Sequence, residues 1–319
     1  MKVFLLGKCG NITHWMEDAA AGFRAGGHEV RVGITRNPAL GRPLSRMLVS
    51  PTLGVPRAGW LVRDIRAFRP ELILAIMPFV MPPALLERIA AMPDRPPLFG
   101  WEGDVFHAPD GRIADLFDVM AYTDSAFPPR HAALGFKARA VFLPLAASAR
   151  PSDRVPPPGA RRDRMVFVAT PSPRRSALVA GMAEPIALYG TGWRGLTAGG
   201  HEVHARRVSD AELARLYPAH LAALNIVNEE HLLAGLNQRN FTPALTATPI
   251  LTDAQPDLER CFDPGREVLA FRDGDELDAL HARLRREPAF AAALGARGRA
   301  RVLAEHSYAH RLAALAALL

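Results

Sequence analysis

The chain has 319 residues, 49% of them hydrophobic, enough to bury large cores, and the length suits two domains. It carries a net charge of +7, but the cations are almost all arginine, with lysine only at Lys2, Lys8 and Lys137, and they form no dense block with interleaved aromatics, so nucleic acid is a disfavoured partner. No apolar run approaches the ~18–20 residues of a membrane span, and two distant cysteines, Cys9 and Cys261, suggest reduced thiols in a cytoplasmic protein.

Lys2 to Gly7 predicts a first strand, 7-GKCGN-11 a glycine-punctuated turn, and Trp15 to Ala25 a helix stopped by Gly26-Gly27. A second strand follows over 28–34. Gly7 and Gly10 do not complete a dinucleotide fingerprint, which disfavours a nicotinamide enzyme. Residues 37–57, rich in Pro, Arg and Gly, read as a long loop, and 60–68 as a helix. The run 70–77 is a buried strand closed by Pro78, and 84–91 a helix. Leu98 to Trp101 is the next strand. It leads into Glu102-Gly103-Asp104-Val105-Phe106-His107, the most polar loop at a strand's carboxyl end in this half. Val119 to Tyr122 and Arg139 to Leu145 are its last strands.

Ser148 to Arg164 keeps no apolar period and reads as an interdomain linker. The expected organisation is therefore a first α/β domain over 1–147, a linker over 148–164, a second α/β domain over 165–305 and a closing helix over 306–319. The second half restarts with a strand at 165–169. Thr170 begins the following loop, and Arg174-Arg175 opens a helix, where an arginine pair suits a diphosphate leaving group or, alternatively, a solvated first turn. Ile186 to Trp193 is a strand and turn whose Gly190 and Gly192 either let a base approach the backbone or simply make a tight turn. His201 and His204 lack the spacing of a zinc site.

Residues 221–253 read as strand, loop, helix, strand. Ala222 to Val227 is a buried strand and Asn228-Glu229-Glu230-His231 a polar loop. Gly235-Leu236-Asn237-Gln238-Arg239 predicts the start of a helix, and Pro249 to Thr252 resumes the sheet. In such a βαβ unit the loop at the strand's carboxyl end and the helix N–H groups suit an anion, and Arg239 adds a fork of donors. Asp257 to Phe262, 275–285 and 289–305 are further helices, with a last strand at 266–271.

Asn237-x-Arg239-x-Phe241 after a strand ending in Asn225-Ile226 resembles the Asn-x-Arg-x-Phe-Glu signature of the CgeB-like (spore-maturation-type) glycosyltransferases, within the group-1 GT-B superfamily. Trp101-x-x-Asp104, Tyr189-Gly190-x-Gly192-Trp193 and His306-Ser307-Tyr308-x-x-Arg311 are similar to further segments of that family, and their order spans nearly the whole chain. The departures are Thr242 and Ala234, where the family and its superfamily have Glu.

The resemblance implies two Rossmann-like, doubly wound domains of GT-B type. It implies transfer of a sugar from a nucleotide-diphosphate-sugar donor to an unidentified acceptor (small molecule, glycan or protein), without a metal and with retention of configuration. On the donor side it points to Thr170, Arg174, Arg175, Gly190, Gly192, Trp193, Asn228, Gly235, Asn237, Gln238, Arg239 and Thr242. On the acceptor side it points to His14, Asp104 and His107, the last two as a base or hydroxyl anchor. Because Thr242 and Ala234 replace carboxylates, a GT-B protein that binds nucleotide with lost or altered turnover is an alternative reading. A glycosyltransferase acting on nucleic acid is another.

Overall fold

The computed structural model describes residues 1–7, 13–34, 54–147, 161–196 and 198–319, with backbone alone at 13, 14, 54–58 and 198. Two compact units are distinguished. One comprises Met1–Pro144, His231–Leu233 and Tyr308–Leu319, the other Leu145–Glu230 and Ala234–Ser307.

Unit 1 holds β1 (Lys2–Gly7), α1 (Thr13–Ala25), β2 (Glu29–Ile34), α2 (Gly54–Phe68), β3 (Leu72–Ile76), α3 (Pro83–Ala90), β4 (Leu98–Glu102), α4 (Gly111–Ala114), β5 (Val119–Tyr122), α5 (Phe127–Ala133) and β6 (Arg139–Phe142). All its strands run parallel, in the order β2-β1-β3-β4-β5-β6. A parallel sheet covered on both faces needs strands that are apolar on both sides. LILAI of β3 and VMAY of β5 meet that demand, being buried throughout. Phe4, Leu6, Ile73 and Met120 pack with Leu61, Ile65 and Phe68 of α2 and Leu85, Leu86 and Ile89 of α3 in one core. A helix, Tyr308–Ala316, completes the unit, and its Arg311 donates to the Pro144 carbonyl at 2.7 Å.

Unit 2 holds β7 (Val166–Val168), α6 (Pro173–Gly181), β8 (Ala187–Tyr189), β9 (Glu202–His204), α7 (Asp210–Leu216), β10 (Ala223–Asn225), β11 (Ile250–Asp253), α8 (Leu258–Cys261), β12 (Leu269–Phe271), α9 (Gly274–Arg286) and α10 (Pro288–Glu305). Its parallel sheet runs β12-β11-β10-β7-β8-β9. From β7 the chain winds outward through β8 and β9, returns to the other side of β7 as β10, and continues outward. The reversal lies between β7 and β10, where open sheets of this kind bind ligands at the strands' carboxyl ends.

One expectation needs correction. The segment after Gly235 is not an α-helix but two short 3-10 turns, Gln238–Asn240 and Thr242–Thr246. Asn237 Oδ1 accepts from the Arg239 N–H and Asn240 Oδ1 from the Asn237 N–H, so side chains hold bonds that a helix ladder would otherwise use. Pro243 brings no N–H of its own. The α-helix whose N–H groups were expected to meet an anion at this stretch is therefore not there. The helix expected from residue 60 begins at Gly54, and the loop expected over 37–57 lies, up to residue 53, outside the described residues. Most of the expected linker, 148–160, and Cys9 lie outside them as well. Among the described residues no helix is long and apolar enough to cross a membrane.

Candidate functional site

In unit 2 the two loops flanking the sheet's reversal are tied together by one side chain. Arg175 sits in the first turn of α6, where its N–H is capped by Ser172. Its buried guanidinium donates to the Ile226 carbonyl at 2.9 and 2.8 Å, just past β10, and to the Thr170 carbonyl at 3.0 Å, just past β7. Burial pushes its pKa down to about 10, helped by repulsion from Arg239 and opposed by Asp253. Arg175, expected as a phosphate ligand, gives three of its five guanidinium N–H groups to main-chain carbonyls of the two loops.

Its neighbour Arg174 points to a different partner. Asp253, the last residue of β11, is 1% exposed and ion-paired with Arg174, whose side chain remains a third open. Both Asp253 oxygens accept from the Val227 N–H at 3.2 Å, and one accepts from Gln255 Nε2 at 3.3 Å. A buried carboxylate is thus satisfied on several sides, as burial demands. It also fixes the backbone one residue before Asn228, whose side-chain oxygen is buried with no partner among the described residues.

Below this lies a buried amide network. Asn225 Nδ2 donates to Asn240 Oδ1 at 2.9 Å and to Thr252 Oγ1 at 3.2 Å, and Asn240 Nδ2 to the same hydroxyl at 2.9 Å. Asn225 Oδ1 in turn accepts from Asn237 Nδ2 at 3.1 Å and from Arg239 Nε at 3.2 Å. The half-buried Arg239 is held by Nε alone, and its two terminal nitrogens have no acceptor among the described residues. Burial lowers its pKa, with Tyr217 and Asp253 pulling the other way. Arg174, Arg175, Arg239, Asp253 and the carboxylate of Glu229 therefore act on one another electrostatically, an excess of one positive charge beside the strand ends.

The remaining donor-side residues divide. Asn237 is structural, capping the turn and bracing Asn225. Thr170 is exposed and contributes its carbonyl to Arg175. Gln238 is half-buried, and Gly235, Thr242 and Ala234 are buried. Gly190, Gly192 and Trp193 correct the expectation of backbone open to a base. At φ +146°, a Cβ on Gly190 would lie 2.0 Å from the Ala169 carbonyl oxygen, so that space is already taken. The buried Trp193 donates to the same oxygen at 2.6 Å, and Gly192 lies against Pro171. Their glycines serve a tight turn packed on the β7 loop.

In unit 1, Asp104 and His107 have separate partners. His107 is exposed, begins the turn Ala108–Asp110 by donating its N–H to Asp110 at 2.7 Å, and lies 3.5 Å from Arg130. It is a capping residue in this structure. The imidazole beside Asp104 is His231, at 3.3 Å, on a segment whose carbonyl accepts from the Val105 N–H. Burial raises the Asp104 pKa against the pull of His231. Glu102, at the end of β4, is 1% exposed and accepts from the N–H groups of Gly103, Asp104 and Phe79. Burial pushes its pKa up to about 8 against those three N–H groups. His14 is the second residue of α1, and its side chain lies outside the described residues.

Sequence reasoning missed Asp253, Thr252, Asn240 and His231 as site-forming residues. A signal existed for the first two, because Thr252-Asp253 ends an otherwise apolar strand at its carboxyl end. Nothing in the spacing of Asp104 and His231 indicated that they meet.

Two parallel six-stranded sheets flanked by helices, one wound from its centre in both directions, are the GT-B architecture. Residues 173–317 match a family model described as glycosyl transferase-like. Anabaena HepE, solved with UDP-glucose, superposes with a TM-score of 0.67 at 14% identity, over 100% of both chains. Sucrose-phosphate synthase from Thermosynechococcus elongatus gives 0.63 at 13% identity, covering 100% of this chain and 98% of its own. T4 phage BGT, in complex with UDP-glucose, gives 0.62 at 8% identity, covering 100% and 98%. No curated protein matches the chain in sequence. The neighbouring structures share the chain's fold, and the family model matched over residues 173–317 is described as glycosyl transferase-like. Among the described residues no group of three or more His, Cys, Asp and Glu is placed to hold a metal ion.

Proposed function

We propose that the chain transfers a glycosyl group from a UDP-sugar to a hydroxyl-bearing acceptor, with UDP as the leaving group bound by unit 2. The observation that carries this reading is the cationic excess at the sheet's reversal, with Arg239 holding two terminal nitrogens unspent and Arg174 a third open. Preorganised guanidinium donors stabilise the charge that develops on a departing diphosphate without reorganisation at the moment of reaction. HepE and T4 phage BGT, both solved with UDP-glucose, supply the choice of uridine.

Asp253 keeps Arg174 in place, and Arg175 holds the two loops at a fixed separation. Guanidinium groups take the cation's role in this reading, so transfer is metal-independent. Retention of configuration and the CgeB-like subtype rest on the resemblance of Asn237-x-Arg239-x-Phe241. The acceptor is assigned to unit 1, with Asp104 and His231 anchoring its hydroxyl, and a cytoplasmic setting follows from the two distant cysteines. Incubation with UDP-glucose and chelator should release UDP and yield α-configured glucose or glucoside. Binding of UDP with no release over hours would favour the alternative of a nucleotide-binding protein without turnover, for which the buried Thr242 and Ala234 are the motivating residues.

A further inference from the structure

Helix α2 buries one side and leaves the other unusual. Leu61, Val62, Ile65 and Phe68 enter the core of unit 1, whereas Trp60, Arg63 and Ala67, at i, i+3 and i+7, share the opposite face. Trp60 is 67% exposed, the most exposed large apolar side chain among the described residues, and Arg66 flanks it. The neighbouring α3 packs Leu85, Leu86 and Ile89 into the same core and turns Arg88 outward. Both carboxylates carried by these helices are already neutralised. Asp64 is bound to Arg31 at 2.8 Å and Glu87 to Arg112 at 2.7 Å. Arg63, Arg66 and Arg88 have no acidic partner among the described residues. A solvent-facing indole amid unpaired guanidinium groups is costly in water and suited to a headgroup layer, where the ring sits at the apolar boundary and the cations meet phosphates.

We propose that the outer face of α2 and α3 docks on an anionic phospholipid surface, with Trp60 inserted at the interface and Arg63, Arg66 and Arg88 on the headgroups. Duplex DNA would satisfy the cations but offers no apolar boundary for the indole.

The test uses the whole chain with vesicles of phosphatidylcholine, with and without phosphatidylglycerol. Sedimentation is expected with the anionic vesicles only, weakening as salt rises. Of the four tryptophans, Trp15, Trp101 and Trp193 are buried, so a blue shift of emission and quenching by brominated lipid report on Trp60. Trp60→Ala should abolish both signals. Arg63→Glu, Arg66→Glu and Arg88→Glu should each lower partitioning by about fivefold or more, the factor for one basic residue beside an anionic leaflet. All four sites are exposed, and unchanged melting temperatures would show that the variants fold. Failure to sediment with anionic vesicles, equal sedimentation with neutral ones, indifference to these variants, or retention by duplex DNA without vesicle binding would each overturn the proposal.

Discussion

Glu102 and Asp253 hold equivalent places in the two sheets, each ending a buried strand at its carboxyl end and each 1% exposed. Their surroundings differ in kind. Glu102 meets main-chain N–H groups and the carboxylate of Asp104, with no cation bound to it among the described residues. Its environment therefore favours the proton, and its pKa climbs to about 8. Asp253 meets Arg174 directly and lies within reach of Arg175 and Arg239. One strand end closes a loop with a nearly neutral acid. The other organises a set of cations, and only that second arrangement leaves positive charge to offer a ligand.

Breaking the cationic arrangement should have the largest effect. Asp253→Ala leaves buried cationic and amide donors without their acceptor and should cost about 3–5 kcal/mol of stability, read from chemical denaturation. Glu102 predicts a pH signature with a definite sign. Because its folded pKa lies above the ordinary 4.5, the folded state holds the extra proton between about 4.5 and 8. The stability it contributes is full below the lower value and is lost as pH rises through the upper one, a change on the order of a few kcal/mol. Glu102→Gln, which mimics the neutral acid, should flatten that slope in denaturation curves measured from pH 5 to 9.

Smaller effects are expected at Gly190 and His107, both of which sit in turns in this structure. Gly190→Ala forces a Cβ against the Ala169 carbonyl at an unfavourable φ and should cost about 1–3 kcal/mol in a thermal melt. His107→Ala keeps the main-chain N–H that Asp110 accepts and removes only an exposed ring beside Arg130, so stability should fall by about 1 kcal/mol or less. UDP release should stay within about twofold, the opposite of what a catalytic base at this position would give.

The architecture was legible because it rests on periodicity. Apolar runs such as 72–76 and 119–122, separated by helical spacing, mark α/β domains, and their doubly wound organisation was what the family resemblance implied. Arg174 and Arg239 were legible as charge at strand exits. What could not be read was how donors are spent. Arg175 and Arg174 are adjacent and chemically identical, yet one is consumed by carbonyls of two loops and the other faces a carboxylate 79 residues away. Asn237 looked like ligand chemistry and is a turn cap. The same side-chain bonding that makes it one replaced the expected helix. Asp104 and His107 looked paired because they are close in sequence. The imidazole that meets Asp104 comes instead from residue 231, a long-range contact that no local pattern encodes.

The most direct measurement is calorimetric titration of UDP into the native chain and into Arg174→Ala, Arg239→Ala and the double variant. Each charged donor removed should weaken binding by about 1.5–3 kcal/mol, and the double variant by roughly a hundredfold or more. Dissociation constants unchanged in all three folded variants would contradict the assignment of the diphosphate to this end of the unit 2 sheet.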